Sequence, residues 1–242
     1  MTIRIFQKGF NFSQDGPGNR LVYHLQGCNL RCPWCSNPEG LDRTGGEEYS
    51  IDELVDEVVR SSMMFFDGGG VTLTGGEVTM QFDAVKVFLT KLHAKGIHTC
   101  METNGLSKRL PELFPVLDLL IMDIKHYDPE KHKATTGLTN EIAIRNVLEA
   151  IKEHQQLALR IPLIGGFNAS EYDAKKFALL FSDLGLGQKA SVELLAYHEY
   201  GKDKYASLGM DYTMTKSAHI SKEQMMVFTE ILKAEGFRII KT

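Results

Sequence analysis

No run of about 18 apolar residues occurs in the chain, so nothing in it reads as a membrane-spanning helix. An excess of positive charge is lacking too. Lys and Arg number 27 against 31 Asp and Glu, a net charge of −4, which argues against a basic nucleic-acid footprint. The opening segment, MTIRIFQKGFNFSQDGPG, has no long apolar stretch and no small-residue cleavage site, so it does not read as a secretory signal. A cytoplasmic protein is therefore expected, with no membrane and no nucleic acid among its partners. Cysteine is scarce: four in 242 residues, three of them between positions 28 and 35. A disulfide scaffold would spread an even set along a much shorter chain. Repeats and low-complexity segments are absent as well.

What remains is ordinary globular material, 43% hydrophobic and 24% charged, of a length that fits one domain over residues 1–242. Short β-rich runs alternate with helical patterns. Arg20–Gln26, Val71–Thr74, Ile97–Met101, Leu117–Ile124, Leu157–Pro162 and Ser191–Leu195 read as strands, with Phe237–Ile240 as a terminal one. Ile51–Ser61 carries apolar residues at 51, 54, 55, 58 and 59, one helix face, with Ser50 as N-cap and Glu53 at capping-box spacing. Helices are also expected at Gln81–Lys95, Asn140–Gln155, Ser170–Leu184 and Ser221–Glu235. The alternation implies an α/β fold with a parallel sheet. About six strand–helix units fit the length, whereas a closed eight-unit barrel needs ~250 residues. The expected architecture is a partial (β/α)6 barrel, an open-sided parallel sheet with outer helices. Its chemistry should lie at the carboxyl ends of the strands.

The three clustered cysteines, Cys28, Cys32 and Cys35, follow the first of these strands with C-x3-C-x2-C spacing. One loop can then wrap a small inorganic object with three thiolates. A closed zinc site wants four ligands, and so does a fully ligated cubane cluster. The fourth cysteine, Cys100, lies far downstream at a strand, where a buried apolar thiol is the plain reading. Two possibilities stand: a four-iron cluster with one iron open, or zinc completed by Cys100 or a histidine.

The spacing with Trp34 before the third cysteine resembles the signature of radical S-adenosylmethionine enzymes. Further motifs resemble one branch, the glycyl radical enzyme activating enzymes of the pyruvate formate-lyase activating type. They are Asp15-Gly16-Pro17-Gly18, Thr74-Gly75-Gly76-Glu77, Glu102-Thr103-Asn104-Gly105, Asp123-Ile124-Lys125, Arg160, and Tyr197-His198-Glu199 with Gly201-Lys202. Ser36 stands where that type often has His, and Cys35-Ser36-Asn37-Pro38-Glu39 looks more like activases of the glycerol and choline-lyase kind. Their cysteine-rich ferredoxin-like insert has no counterpart between Pro38 and Ser50.

The resemblance implies an oxidoreductase active under anaerobic conditions. A [4Fe-4S] cluster on Cys28, Cys32 and Cys35 would reductively cleave S-adenosylmethionine. The resulting 5′-deoxyadenosyl radical would take a hydrogen from a glycine α-carbon of a partner, a glycyl radical enzyme. Flavodoxin or ferredoxin would donate the electron, and a monomer would suit docking to a large partner. The residues implied for the cofactor are Trp34, Asn37, Gly75, Gly76, Glu77, Glu102, Thr103, Asp123, Lys125 and His198. The Gly75-Gly76-Glu77 motif would grip the methionine ammonium through exposed carbonyls and the Glu77 carboxylate. Glu102, Thr103 and Asp123 would hold a monovalent cation, Na+ or K+, and Asp15 and Arg160 the substrate peptide. The rival readings are a radical enzyme acting on a small molecule and a non-catalytic zinc protein.

Overall fold

The computed structural model describes residues 1–12, 14–153 and 156–240. One nine-stranded sheet organises them. Its strands in chain order are β1 (Thr2–Phe12), β2 (Asn19–Leu25), β3 (Glu47–Ser50), β4 (Gly70–Gly75), β5 (Thr99–Thr103), β6 (Leu119–Asp123), β7 (Leu157–Leu163), β8 (Ala190–Ala196) and β9 (Arg238–Ile240). The spatial order is β3-β1-β2-β4-β5-β6-β7-β8-β9. From β2 to β9 all neighbours are parallel, while β1 runs antiparallel to both β2 and β3. The sheet is open and mostly parallel, with helices packed on its outside, in accord with the partial barrel expected from the sequence.

The helices are α1 (Ile51–Ser61), α2 (Phe82–His93), α3 (Pro129–Thr136), α4 (Glu141–Glu153), α5 (Glu171–Asp183), α6 (Lys202–Ser207) and α7 (Lys222–Ala234). Capping boxes start α1 at Ser50 with Glu53, α5 at Ser170 with Asp173, and α7 at Ser221 with Gln224. Each satisfies two otherwise orphaned backbone donors. The expected end of α4, at residues 154 and 155, lies outside the described residues. No helix among the described residues is long and apolar enough to cross a membrane.

Alternation along the strands decides what faces where. Leu73, Met101, Leu120, Met122, Leu159, Ile161 and Val192 join Val85, Phe88, Leu89, Val147 and Phe177 of the helices in one core. Each large side chain buried there is worth roughly 1.5–3 kcal/mol. The residues between them face the inside of the half-barrel.

Five elements differ from the sequence reading. Only the first half of β1 contributes to the core, through Ile3 and Ile5, while Phe10 and Phe12 are exposed, so its pattern lacks clean alternation. β3 and α6 are too short to show a period. α3 has no apolar stripe, and its only signals are Asp128 as N-cap, Pro129 in the first turn and left-handed Gly137 as C-cap. β5 is shifted two residues toward the carboxyl side of the expected strand, which puts Glu102 and Thr103 within it.

Candidate active site

A cavity of about 250 Å³ opens at the carboxyl ends of β2 and β4 to β8. Of the residues expected to hold the cluster, the cofactor, a cation or the peptide, all but Glu77 and Asp15 border it.

The cysteine loop is held by its own backbone and by one buried leucine. Leu30 packs with Leu106 and Ala143, and Cys28 and Cys32 lie against this cluster. The Arg31 amide donates to the Thr136 carbonyl at 2.8 Å, and the Arg31 guanidinium returns to the carbonyls of Cys28 and Leu30. The Cys35 amide donates to the Cys32 carbonyl at 3.1 Å. Trp34 packs on Phe167, with ring centroids 5.0 Å apart. Burial pushes the Cys28 thiol up to about 11 and Cys32 up to about 12, and it raises Cys35 as well. Lys125 acts in the opposite direction on all three, favouring thiolates.

Three thiols on one loop, bordering one cavity, would hold three irons of a cubane cluster and leave the fourth without a protein thiolate. Cys100 does not complete a zinc set with them. It is fully buried, packed with Ile121 and Ala158 on the inner face, and does not border the cavity.

The Gly75-Gly76 turn is tied to the start of that loop. Gly75 has φ +113°, and a Cβ on Gly76 would lie 2.3 Å from the Gly27 carbonyl oxygen. Only glycine permits so close an approach. The Gly76 amide donates to Leu25 O and the Glu77 amide to Gly27 O. Glu77 has a structural task of its own. Its carboxylate is buried and turned away from the cavity. It accepts from the Thr79 amide and hydroxyl, from Thr103 Oγ1 at 2.7 Å and from the Asn104 amide at 2.8 Å. With these four donors it knots two strand-end loops together.

A charged network crosses the inner face behind the cavity. Arg160 Nη1 donates to Glu102 Oε1 at 2.8 Å, Nε to Glu193 Oε2 at 2.7 Å, and Nη2 to the Gln14 carbonyl at 3.3 Å. Glu102 Oε2 accepts from Thr74 Oγ1 at 2.9 Å, and Asp123 Oδ2 from Lys125 Nζ at 2.7 Å. Burial works against the Arg160 and Lys125 charges, yet Glu102, Asp123 and Glu193 hold Arg160, and Asp123 with Cys32 and Cys28 holds Lys125, above their ordinary values. Burial also raises Glu102, and Arg160 opposes that rise.

The three groups expected to cage a monovalent cation are thus engaged by the protein's own donors. Both Glu102 oxygens are taken, Asp123 is paired, and the Thr103 hydroxyl donates to Glu77. A cation at this set would share its oxygens with Arg160, Thr74 and Lys125. Arg160 and Lys125 supply the compensating charge.

Arg160 borders the cavity, and each of its three nitrogens has a partner within the protein. One of them anchors the loop that carries Asp15. Arg20, fully buried, fixes the same loop from the other side through the Pro17 carbonyl and Thr72 Oγ1, which in turn donates to Asp15 O. His198 lines the cavity, stacks on Tyr200 at 3.9 Å, and is shifted by burial toward the neutral imidazole. Sequence reasoning missed Glu193 and Lys204. Thr74 and Asn104 also border the cavity, and their signal was in hand as members of quoted motifs.

A half-barrel with a three-thiol loop after its first parallel strand defines a class. The sequence pattern of the Radical SAM superfamily matches residues 22–178. The chain is 32% identical over 231 residues to the pyruvate formate-lyase 1-activating enzyme of Escherichia coli (strain K12), covering 93% of each. It is 33% identical over 223 residues to the pyruvate formate-lyase-activating enzyme of Clostridium pasteurianum, covering 90% of this chain and 92% of that one. Among solved structures, a radical SAM methyltransferase from Sphaerobacter thermophilus shares the fold with TM-score 0.70 at 16% identity, covering 99% of this chain and 76% of that one. The chain belongs to the radical SAM superfamily and, within it, to the glycyl radical enzyme activating enzymes of the pyruvate formate-lyase activating type.

Proposed function

We propose that residues 1–242 act as one domain that activates a glycyl radical enzyme, in the cytoplasm and under anaerobic conditions. The observation that carries this reading is the single cavity bordered by Cys28, Cys32 and Cys35 on one side and by Gly75, Gly76, Lys125 and His198 on the other. Cys28, Cys32 and Cys35 would hold a [4Fe-4S] cluster that, once reduced by an external one-electron donor, would supply the electron for cleaving S-adenosylmethionine to methionine and a 5′-deoxyadenosyl radical able to take a hydrogen from the partner's glycine.

The protein's own groups orient and enclose. Lys125, whose ammonium is kept charged by Asp123, faces the cavity and attracts a carboxylate. Gly75 and Gly76 let backbone line the ligand closely. Trp34, seated on Phe167, offers an aromatic face. Neutral His198 can accept or donate one hydrogen bond without adding charge. Asp15, on the loop pinned by Arg20 and Arg160, is the carboxylate that meets the substrate peptide, and Arg160 serves by holding that loop. No step is assigned to a monovalent cation. Flavodoxin or ferredoxin is the proposed donor, and a monomer the proposed working state.

Anaerobic reconstitution is expected to load about 4 Fe per chain. With a strong reductant the protein should then release 5′-deoxyadenosine from S-adenosylmethionine. Mixing with a glycyl radical enzyme should give a glycine-centred radical by electron paramagnetic resonance. Cys32→Ala should abolish both. Bound zinc without cleavage of S-adenosylmethionine would overturn the reading.

A further inference from the structure

The segment after β8 folds back over the cysteine loop. Gly201 packs there so tightly that a Cβ would lie 2.2 Å from the Cys35 carbonyl oxygen. One turn on, α6 delivers Lys204, whose Nζ lies 3.0 Å from Asn37 Oδ1 and 2.5 Å from Glu39 Oε1. Glu39 is itself anchored, because its carbonyl accepts at 2.8 Å from Gln26 Nε2, a side chain buried at the end of β2. The ammonium therefore has a fixed seat.

An ammonium only donates, so the Asn37 atom that faces it must be the carbonyl oxygen. That fixes the direction of the amide. Its –NH2 end points away from Lys204, and Asn37 borders the cavity. Neither N–H of that amide has a hydrogen-bond partner among the described residues, whereas the Oδ1 end is held. A neutral amide free to rotate by half a turn would present an acceptor half the time. Here Lys204 removes that choice.

We propose that Lys204 is a positioning residue that holds Asn37 with its amide donors turned into the cavity, where they bind an oxygen or ring-nitrogen acceptor of S-adenosylmethionine. The proposal rests on the reading that this cavity takes S-adenosylmethionine. It adds a polarity to it: the Asn37 corner recognises an acceptor and rejects a donor. It also gives the cysteine loop a contact with a segment more than 160 residues away, so cofactor recognition depends on α6 being in place.

Equilibrium binding of S-adenosylmethionine to the reconstituted protein tests this, with iron content and the melting temperature of the apoprotein measured on the same samples. Lys204→Met and Asn37→Asp should each weaken binding roughly three- to tenfold, the worth of one or two hydrogen bonds. The double variant should be no weaker than the worse single one, because both remove the same oriented donor. Lys204→Arg should restore most of the affinity. Iron content should stay at the wild-type level throughout.

Unchanged affinity in either single variant overturns the proposal. So does loss of iron in Lys204→Met or Asn37→Asp, which would make the contact a support of the cysteine loop. If the wild-type protein binds no S-adenosylmethionine, the functional reading fails instead, and the two failures are told apart by that control.

Discussion

Every second residue of the central strands points to the helices, and the residues between them point into the half-barrel. On β7 the outward set is Leu157, Leu159, Ile161 and Leu163, all in the apolar core, and between them sits Arg160. On β8 Val192 faces the core while Glu193 faces Arg160. On β4 Leu73 faces the core, while Thr72 and Thr74 donate inward to Asp15 O and Glu102. The two faces are built from the same strands, yet one is held by area and the other by charge. Apolar contacts are non-directional and tolerate repacking, whereas buried ions must be matched donor to acceptor. The outer face therefore stabilises by apolar burial, and the inner face fixes where the loops of the site sit.

The largest effect should come from breaking the inner face at its hub. Arg160→Met leaves Glu102 and Glu193, side chains 14% and 3% exposed, without their shared counter-ion. A cost of about 3–5 kcal/mol is expected by denaturant unfolding, together with loss of glycyl radical formation. The outer-face counterpart is Phe88→Ala. Phe88 is fully buried and meets Tyr23 edge-on at 6.0 Å. It should also cost about 3–5 kcal/mol.

Dependence on pH separates the two. Burial already holds the Glu102 pKa above its unfolded value, and removing Arg160 raises it further. A carboxylate with a raised folded pKa carries its penalty while it is ionised, and the penalty fades as pH falls toward the unfolded pKa. The Arg160→Met deficit should therefore shrink on going from neutral pH toward about 4.5. The Phe88→Ala deficit should not follow it. Equal pH dependence of the two would break the comparison.

The outer face was legible because its signal is periodic. The apolar positions of α1 and its Ser50–Glu53 box gave that helix to the residue. The inner face was legible only where motifs stood at strand ends, as with Gly75-Gly76 or Asp123. Glu193 was missed because one carboxylate in an otherwise apolar strand has no pattern, and its partner lies on the next strand. Lys204 was missed for the same reason at greater distance, since its partners Asn37 and Glu39 are brought to it only by the fold. Glu77 was located, but its hydrogen-bond partners were not. Its motif marked the turn, while the direction of its carboxylate depended on donors from Thr103 and Asn104.

The smallest effect belongs to a contact local to the outer layer. Ser50 Oγ accepts from the Glu53 amide at 3.2 Å, and the Glu53 carboxylate accepts from the Ser50 amide at 2.8 Å. Ser50→Ala removes the first bond and leaves the second. About 1 kcal/mol of stability should be lost, seen as a lower denaturation midpoint with an unchanged slope. Since α1 packs on α2 and contributes no residue to the cavity, affinity for S-adenosylmethionine should be unaltered. A change in that affinity would mean that the two faces are coupled through the sheet, and that the charge network on the inside depends on how the helices outside are seated.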